Sequence, residues 1–368
     1  MLYHFLPRFT DVHIIFNVFN YLTFRSAGAV VTSLLVAFLA GPAMIKRLHR
    51  MRVGQIVRAD GPETHLSKAG TPTMGGSLII LAAATSTILW AELTNWFVGL
   101  ALLAFVWMGA IGFMDDYLKV VRNHPEGLIA RYKMVGQLSF GVALGIFLLL
   151  HPISPVPSSW TMVPFFAGWV AAFWPPAYVV FVSLVVSGTS NAVNLTDGLD
   201  GLAAGLGAIA LVTFAVFAYL IGRVDTSAYL GLLYLPGSGE LAVFASALAG
   251  AAVGFLWFNS HPAEVFMGDT GSLAIGGALA VLAILLKAEF LLLIVGAVFV
   301  AEALSVILQV GWFKYTRLRI GEGRRILLMA PLHHHFEKVG WEESKVVVRF
   351  WILGVLFALL AFSTLKVR

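Results

Sequence analysis

The sequence predicts an all-α integral membrane protein: one polytopic domain over residues 1–368, about ten transmembrane helices, both termini on the outer (periplasmic) side. Three observations carry this. Of the 368 residues 59% are apolar and only 12% charged, about half the ~25% charge of a soluble domain. Apolar runs near the roughly 20 residues needed to cross about 30 Å of hydrocarbon recur along the whole chain. Finally, the basic residues fall on alternate connections, as the positive-inside rule requires.

Taken in order, the runs are 27–45, 74–91, 97–114, 134–150, 202–221, 241–258, 271–286, 290–312 and 347–365. A tenth, 177–188, is short. The stretch 162–188 that contains it carries Pro164, Pro175 and Pro176, and proline breaks a helix interior. It therefore reads as an interfacial piece followed by a short span rather than as one broken span. Residues 1–25 are interrupted by Arg8, Asp11 and Arg25 and are expected to lie along the membrane surface, not to act as a secretory signal.

With ten spans, the loops opposite the termini are 46–73, 115–133, 189–201, 259–270 and 314–346. They hold 17 of the 24 Lys and Arg, which makes them cytoplasmic. The net charge of +5 thus reports topology, and no nucleic-acid partner is expected. The absence of cysteine excludes disulfides, thiolate metal sites and a cysteine nucleophile.

Five of the eight Asp fall in those same loops, within a few residues of a span. Carboxylates beside hydrocarbon are costly and mark functional sites. Asp115 and Asp116 follow the run 97–114; two adjacent carboxylates at the negative end of a helix dipole call for a cation. In Asn191-Ala-Val-Asn194-Leu-Thr-Asp197-Gly198-Leu199-Asp200-Gly201, one residue can serve as an N-cap, but two Asn and two Asp exceed what a cap needs. Asp269, between Gly268 and Gly271 before another span, suits a Mg²⁺–phosphate site. Lys68-Ala-Gly70-Thr-Pro-Thr73-Met-Gly75-Gly76 is glycine-rich and basic without being a Walker A loop. His333-His334-His335 lie in a loop with Arg317, Arg319, Arg324 and Arg325, where imidazoles meet phosphate or carry protons. Glu302 sits inside a span, either as a hydrogen-bonding partner of a neighbouring helix or as a catalytic group.

These motifs, in this order on one membrane face, resemble the polyprenyl-phosphate N-acetylhexosamine-1-phosphate transferases. The Pro331–Glu337 segment is similar to that of the phospho-N-acetylmuramoyl-pentapeptide-transferase (translocase I) branch. The resemblance implies transfer of phospho-N-acetylmuramoyl-pentapeptide from its UDP carrier to undecaprenyl phosphate, giving lipid I and UMP. It further implies Mg²⁺ as cofactor, a homodimer in the bacterial inner membrane, and an active site on the cytoplasmic face. Asp269, Asp115 and Asp116 would form the metal site, with Asp115 the preferred base; His333, His334 and His335 would steer phosphate or the muramoyl group. Lys68, Thr73, Lys119, Asn194 and Asp197 would line the polar site. Gly198, Leu199, Asp200, Asn259 and Phe266 would hold uridine, with Phe266 stacking on the base.

A sibling transferase that uses UDP-N-acetylglucosamine, and a secondary transporter, are the alternatives. The triple-histidine run argues against the first. Clustering of carboxylates at one surface rather than the midplane argues against the second. Direct attack and a covalent aspartyl intermediate both remain open to the sequence.

Overall fold

The structure is a computed structural model that describes residues 1–51, 70–122, 124, 127–166 and 168–366. The helices in chain order are α1 (Leu2–Phe5), α2 (Leu22–Arg50), α3 (Gly76–Trp90), α4 (Trp96–Val120), α5 (Ala130–Leu150), α6 (Pro175–Thr196), α7 (Leu202–Ile221), α8 (Val224–Leu230), α9 (Glu240–Asn259), α10 (Gly268–Leu285), α11 (Glu289–Val295), α12 (Ala297–Ile320), α13 (Leu332–Lys338) and α14 (Glu343–Ser363). Among the described residues nine of them (α2, α4, α5, α6, α7, α9, α10, α12 and α14) are long and apolar enough to cross a membrane. The apolar helix α3, of 15 residues, is shorter.

Several elements differ in extent from the expected spans; α2 and α4 extend beyond theirs, to Leu22–Arg50 and Trp96–Val120. The span expected at 177–188 runs from Pro175 to Thr196. Pro175 and Pro176 occupy its first turn, where a missing N–H costs nothing, so they start the helix rather than break it. The segment before it forms a two-stranded antiparallel hairpin, β1 (Trp160–Met162) with β2 (Val170–Ala172), in register Trp160↔Ala172. The span expected at 290–312 is divided at Gly296 into α11 and α12, and α12 continues to Ile320.

α10 is the most buried span, followed by α9 and α7. It packs against α4, α6, α3 and α7, while α9 packs against α2, α7 and α3. The outer helices turn residues such as Leu39, Leu103, Trp107, Leu184, Trp257, Leu308 and Leu353 outward, the surface a lipid-facing bundle requires.

Polar side chains gather at the two ends of the bundle. One end is closed by a buried pair, Arg25 to Glu240, with Nη1–Oε2 at 2.7 Å and Nη2–Oε1 at 2.5 Å. Glu240 Oε2 also accepts the Glu92 N–H at 3.0 Å. The other end carries the motifs singled out above.

Candidate active site

At that second end, three carboxylates from two helices converge. Asp115 and Asp116 lie within the last turns of α4, which runs on to Val120 and so carries both acids farther than a loop at 115 would. Asp269 is the second residue of α10. One oxygen from each lies within 4.8 Å of the others. Gly112, one turn before the pair, makes this possible: a Cβ there would collide with the Asp269 carbonyl, so the α4 and α10 backbones touch.

The three acids are held differently. Asp116 accepts from Thr270 N at 2.9 Å, Thr270 Oγ1 at 2.6 Å and Asp269 N at 3.2 Å; it caps the positive end of α10 from another helix. Asp115 accepts the Leu128 N–H at 2.8 Å and pairs with Lys119, one turn on. Asp269 pairs with Lys133, has Lys119 Nζ 3.5 Å away, and accepts from Asn194 Nδ2 at 2.9 Å. Asn194 also donates to Ser272 Oγ at 2.8 Å. Among the described residues, two ammonium groups therefore face three carboxylates, which leaves one negative charge.

Asn191 and Asn194 prove to be part of the last turns of α6 rather than of a loop, so only 197–201 forms the turn into α7. Burial pushes the Asp197 carboxyl well above the usual carboxylate range; the charges of Asp269 and Asp116 add to this and the Gly268 N–H opposes it. Asp200 donates its N–H to Glu343 Oε1 at 2.8 Å, and its Oδ2 meets Ala263 N at 3.2 Å and His261 Nδ1 at 3.1 Å. Asn259, buried, accepts the Gly201 N–H at 3.0 Å and donates to Val265 O at 2.9 Å. Leu199 is buried beside them. Phe266 donates its N–H to Pro72 O at 2.8 Å and accepts from Gly75 N at 2.9 Å. This backbone pairing brings Thr73, itself buried, to the same side of Gly268 as Asp116. Lys68 lies outside the described residues.

The three histidines sit on the short helix α13, not in a loop, and point to three different partners. His333 is fully buried against Glu302 of α12. His334 Nδ1 lies 2.7 Å from Glu337 Oε2, and His335 Nδ1 accepts the Leu328 N–H at 3.2 Å. The sequence reading missed Lys133, Thr270, His261 and Glu343. Lys133 had registered only as a topology charge; its place beside a span was its single signal. An apolar cavity of about 510 Å³ opens between α3 and α4, lined by Ile80, Gly109, Ala110, Phe113, Tyr117 and, at the acidic cluster, Thr270.

Comparison with known proteins bears on this end of the bundle. Residues 96–287 match the family described as glycosyl transferase family 4. Residues 68–80 match signature 1 of the phospho-N-acetylmuramoyl-pentapeptide-transferases. Over the full length of both chains the protein is 54% identical to the phospho-N-acetylmuramoyl-pentapeptide-transferase of Gemmatimonas aurantiaca. Over the same full coverage it is 52% identical to that of Citrifermentans bemidjiense and 47% to that of Endomicrobium trichonymphae.

Proposed function

The chain belongs to the phospho-N-acetylmuramoyl-pentapeptide-transferase family, and we propose from that premise that the acidic end of the bundle is where its reaction takes place. The enzyme is a multi-pass protein of the bacterial inner membrane. It transfers phospho-N-acetylmuramoyl-pentapeptide from the UDP-linked donor to undecaprenyl phosphate, forming lipid I and releasing UMP. An acceptor oxygen bonds to the sugar-bearing phosphorus as the bond to the UMP oxygen breaks. The convergence of Asp115, Asp116 and Asp269 is the observation that carries this reading.

The donor set is all oxygen with one uncompensated negative charge, which suits Mg²⁺. Asp269 and Asp115 would hold it, since Asp116 is committed to three donors at the start of α10. Bound there, Mg²⁺ supplies charge neutralisation for the donor pyrophosphate. Lys119 and Lys133 bring further positive charge to the transferring group, and Asn194 orients Asp269 through its 2.9 Å hydrogen bond. Phosphoryl transfer depends chiefly on such positioning and electrostatics. The acceptor is a phosphate monoester with its second pKa near ~6, so it arrives mostly as the dianion. Asp115, with fewer donors on it than Asp116, takes the proton where one remains. His334 and His335 steer the phosphate or the muramoyl group.

Thr73 and Asp197 line the polar site. The 197–201 turn with Asn259 and Phe266 receives uridine. The apolar cavity that reaches Thr270 offers hydrocarbon a place next to the carboxylates. The bias of Lys and Arg supports a cytoplasmic position for this end with both termini outside, and family resemblance supports a homodimer. Because the chain lacks cysteine, single-cysteine variants at Arg223 and Lys338 can be labelled from opposite sides to test the orientation.

The reading is tested by UMP release in detergent with undecaprenyl phosphate, with and without Mg²⁺. Release is expected from UDP-N-acetylmuramoyl-pentapeptide and not from UDP-N-acetylglucosamine. Failure to turn over the first donor overturns it.

A further inference from the structure

Glu302 stands in the second turn of α12, has no exposed surface, and spends both oxygens on one residue. Oε1 accepts the backbone N–H of His333 at 3.2 Å, and Oε2 lies 3.0 Å from His333 Nδ1. A carboxylate facing a bare ring nitrogen would set two acceptors against each other. Nδ1 therefore carries the proton, and in the neutral ring Nε2 does not. Nε2 is buried and makes no hydrogen bond among the described residues. It faces Gly198, where a Cβ would collide with it. The imidazole thus stands as a strut between α12 and the turn at 197–201. That turn is tied on other sides by Glu343 and Asn259.

A buried Glu–His pair with an unsatisfied ring nitrogen is not what stability alone selects. We propose that Glu302 is a positioning residue for the transfer reaction: it holds His333 as the Nδ1–H tautomer and, through the imidazole's contact with Gly198, sets the place of the turn that receives the donor nucleotide. His333 then acts without touching substrate, unlike His334 and His335 of the same run. The idea rests on the functional reading above, in which the turn at 197–201 binds the UDP-linked donor. It also accounts for the glycine between Asp197 and Asp200: any side chain there would displace the strut.

Three measurements test it on the full-length enzyme in detergent. Glu302→Gln keeps the size but cannot accept from both N–H groups. It is expected to lower kcat/KM for the UDP-linked donor by about 10–100-fold, the usual cost of losing an orienting partner. Its KM for undecaprenyl phosphate should stay within about twofold; a wild-type donor kcat/KM, or an equal loss toward both substrates, overturns the proposal. Gly198→Ala should weaken donor use in the same way, and the double variant should be no worse than the poorer single one. Losses that multiply would show two independent effects and defeat the idea. Imidazole ¹⁵N resonances of the wild-type enzyme, assigned with His333→Asn, need no folded Glu302 variant: an Nδ1–H tautomer is expected, and an Nε2–H tautomer overturns the proposal. If the wild-type enzyme does not turn over the donor, the functional reading fails instead, whatever the tautomer.

Discussion

Asp116 Oδ2 accepts the backbone N–H of Thr270 at 2.9 Å, across 154 residues of chain. With the Thr270 hydroxyl at 2.6 Å, the bond makes a side chain of α4 the N-terminal cap of α10. The two adjacent acids Asp115 and Asp116 consequently have different work. One secures the helix that carries Asp269, and the other stays beside Lys119 with Asp269 in reach.

That division predicts unequal consequences. Asp116→Asn keeps an acceptor but loses the charge at the positive helix end, so it should cost about 1 kcal/mol of stability. This corresponds to a fall of about 2–4 °C in thermal midpoint. Asp269→Asn should leave the midpoint nearer wild type and lower kcat by about 10²–10³-fold, as loss of a key electrostatic group does. Thermal scanning and UMP release on the same preparations compare the two.

Lys133 holds an ion pair with Asp269 in the place where positive charge is needed. A Mg²⁺ ion held at Asp269, as proposed, would compete with this ammonium group for the same carboxylate. Lys133→Met should therefore lower the Mg²⁺ concentration for half-maximal activity by about fivefold, from an interaction of the order of 1 kcal/mol between nearby charges. It should also reduce kcat. A Mg²⁺ titration of UMP release reads both, and an unchanged or higher midpoint would contradict the competition.

Asp197 sets a pH dependence of stability. Burial raises its folded-state pKa well above the unfolded value, which lies near ~3.9. Between those two values the folded state holds a proton that the unfolded chain has lost. Stability is therefore unimpaired below about pH 4 and is lost as pH rises toward the folded value. In metal-free protein Asp197→Asn should raise the thermal midpoint at pH 7, and the gain should vanish below about pH 4. Thermal scans across that range check the sign.

At the opposite end, Arg25 and Glu240 are 2% and 5% exposed. Glu240→Gln leaves a buried guanidinium without its counter-charge, a loss of about 3–5 kcal/mol for a broken buried pair. The thermal midpoint should fall by roughly 10 °C, while kcat per folded molecule stays at the wild-type level because the acidic end is untouched. Activity normalised to the monodisperse fraction on gel filtration separates the two effects.

Much of the bundle was readable from local chemistry. Each span must satisfy its own backbone hydrogen bonds in hydrocarbon, so nine long apolar runs and the short tenth were visible one at a time. The misplaced limits have local causes as well. Asn191 and Asn194 read as loop residues, yet α6 continues through them because their side chains find partners on Gln137, Ser272 and Asp269. Pro175 and Pro176 read as breakers of a helix that they begin.

The candidate site was legible as composition rather than as geometry. Asp115, Asp116, Asp269 and Asn194 stood out because polar groups beside hydrocarbon are expensive. Nothing in their spacing said that Asp116 would cap α10, or that Lys133 would reach Asp269. Nor did the triple-histidine run show that His333 turns inward to Glu302 while its neighbours take other partners.

By itself the sequence determined the membrane class, the crowding of acids and bases on one set of connections, and the family. These follow from transfer free energies and motif order, which act residue by residue along the chain. Which acid faces which amine was decided only when α4 and α10 met at Gly112, and which histidine became a strut only when α13 settled on α12. Those contacts join residues far apart in sequence, and their geometry comes from helix packing, which no local pattern encodes.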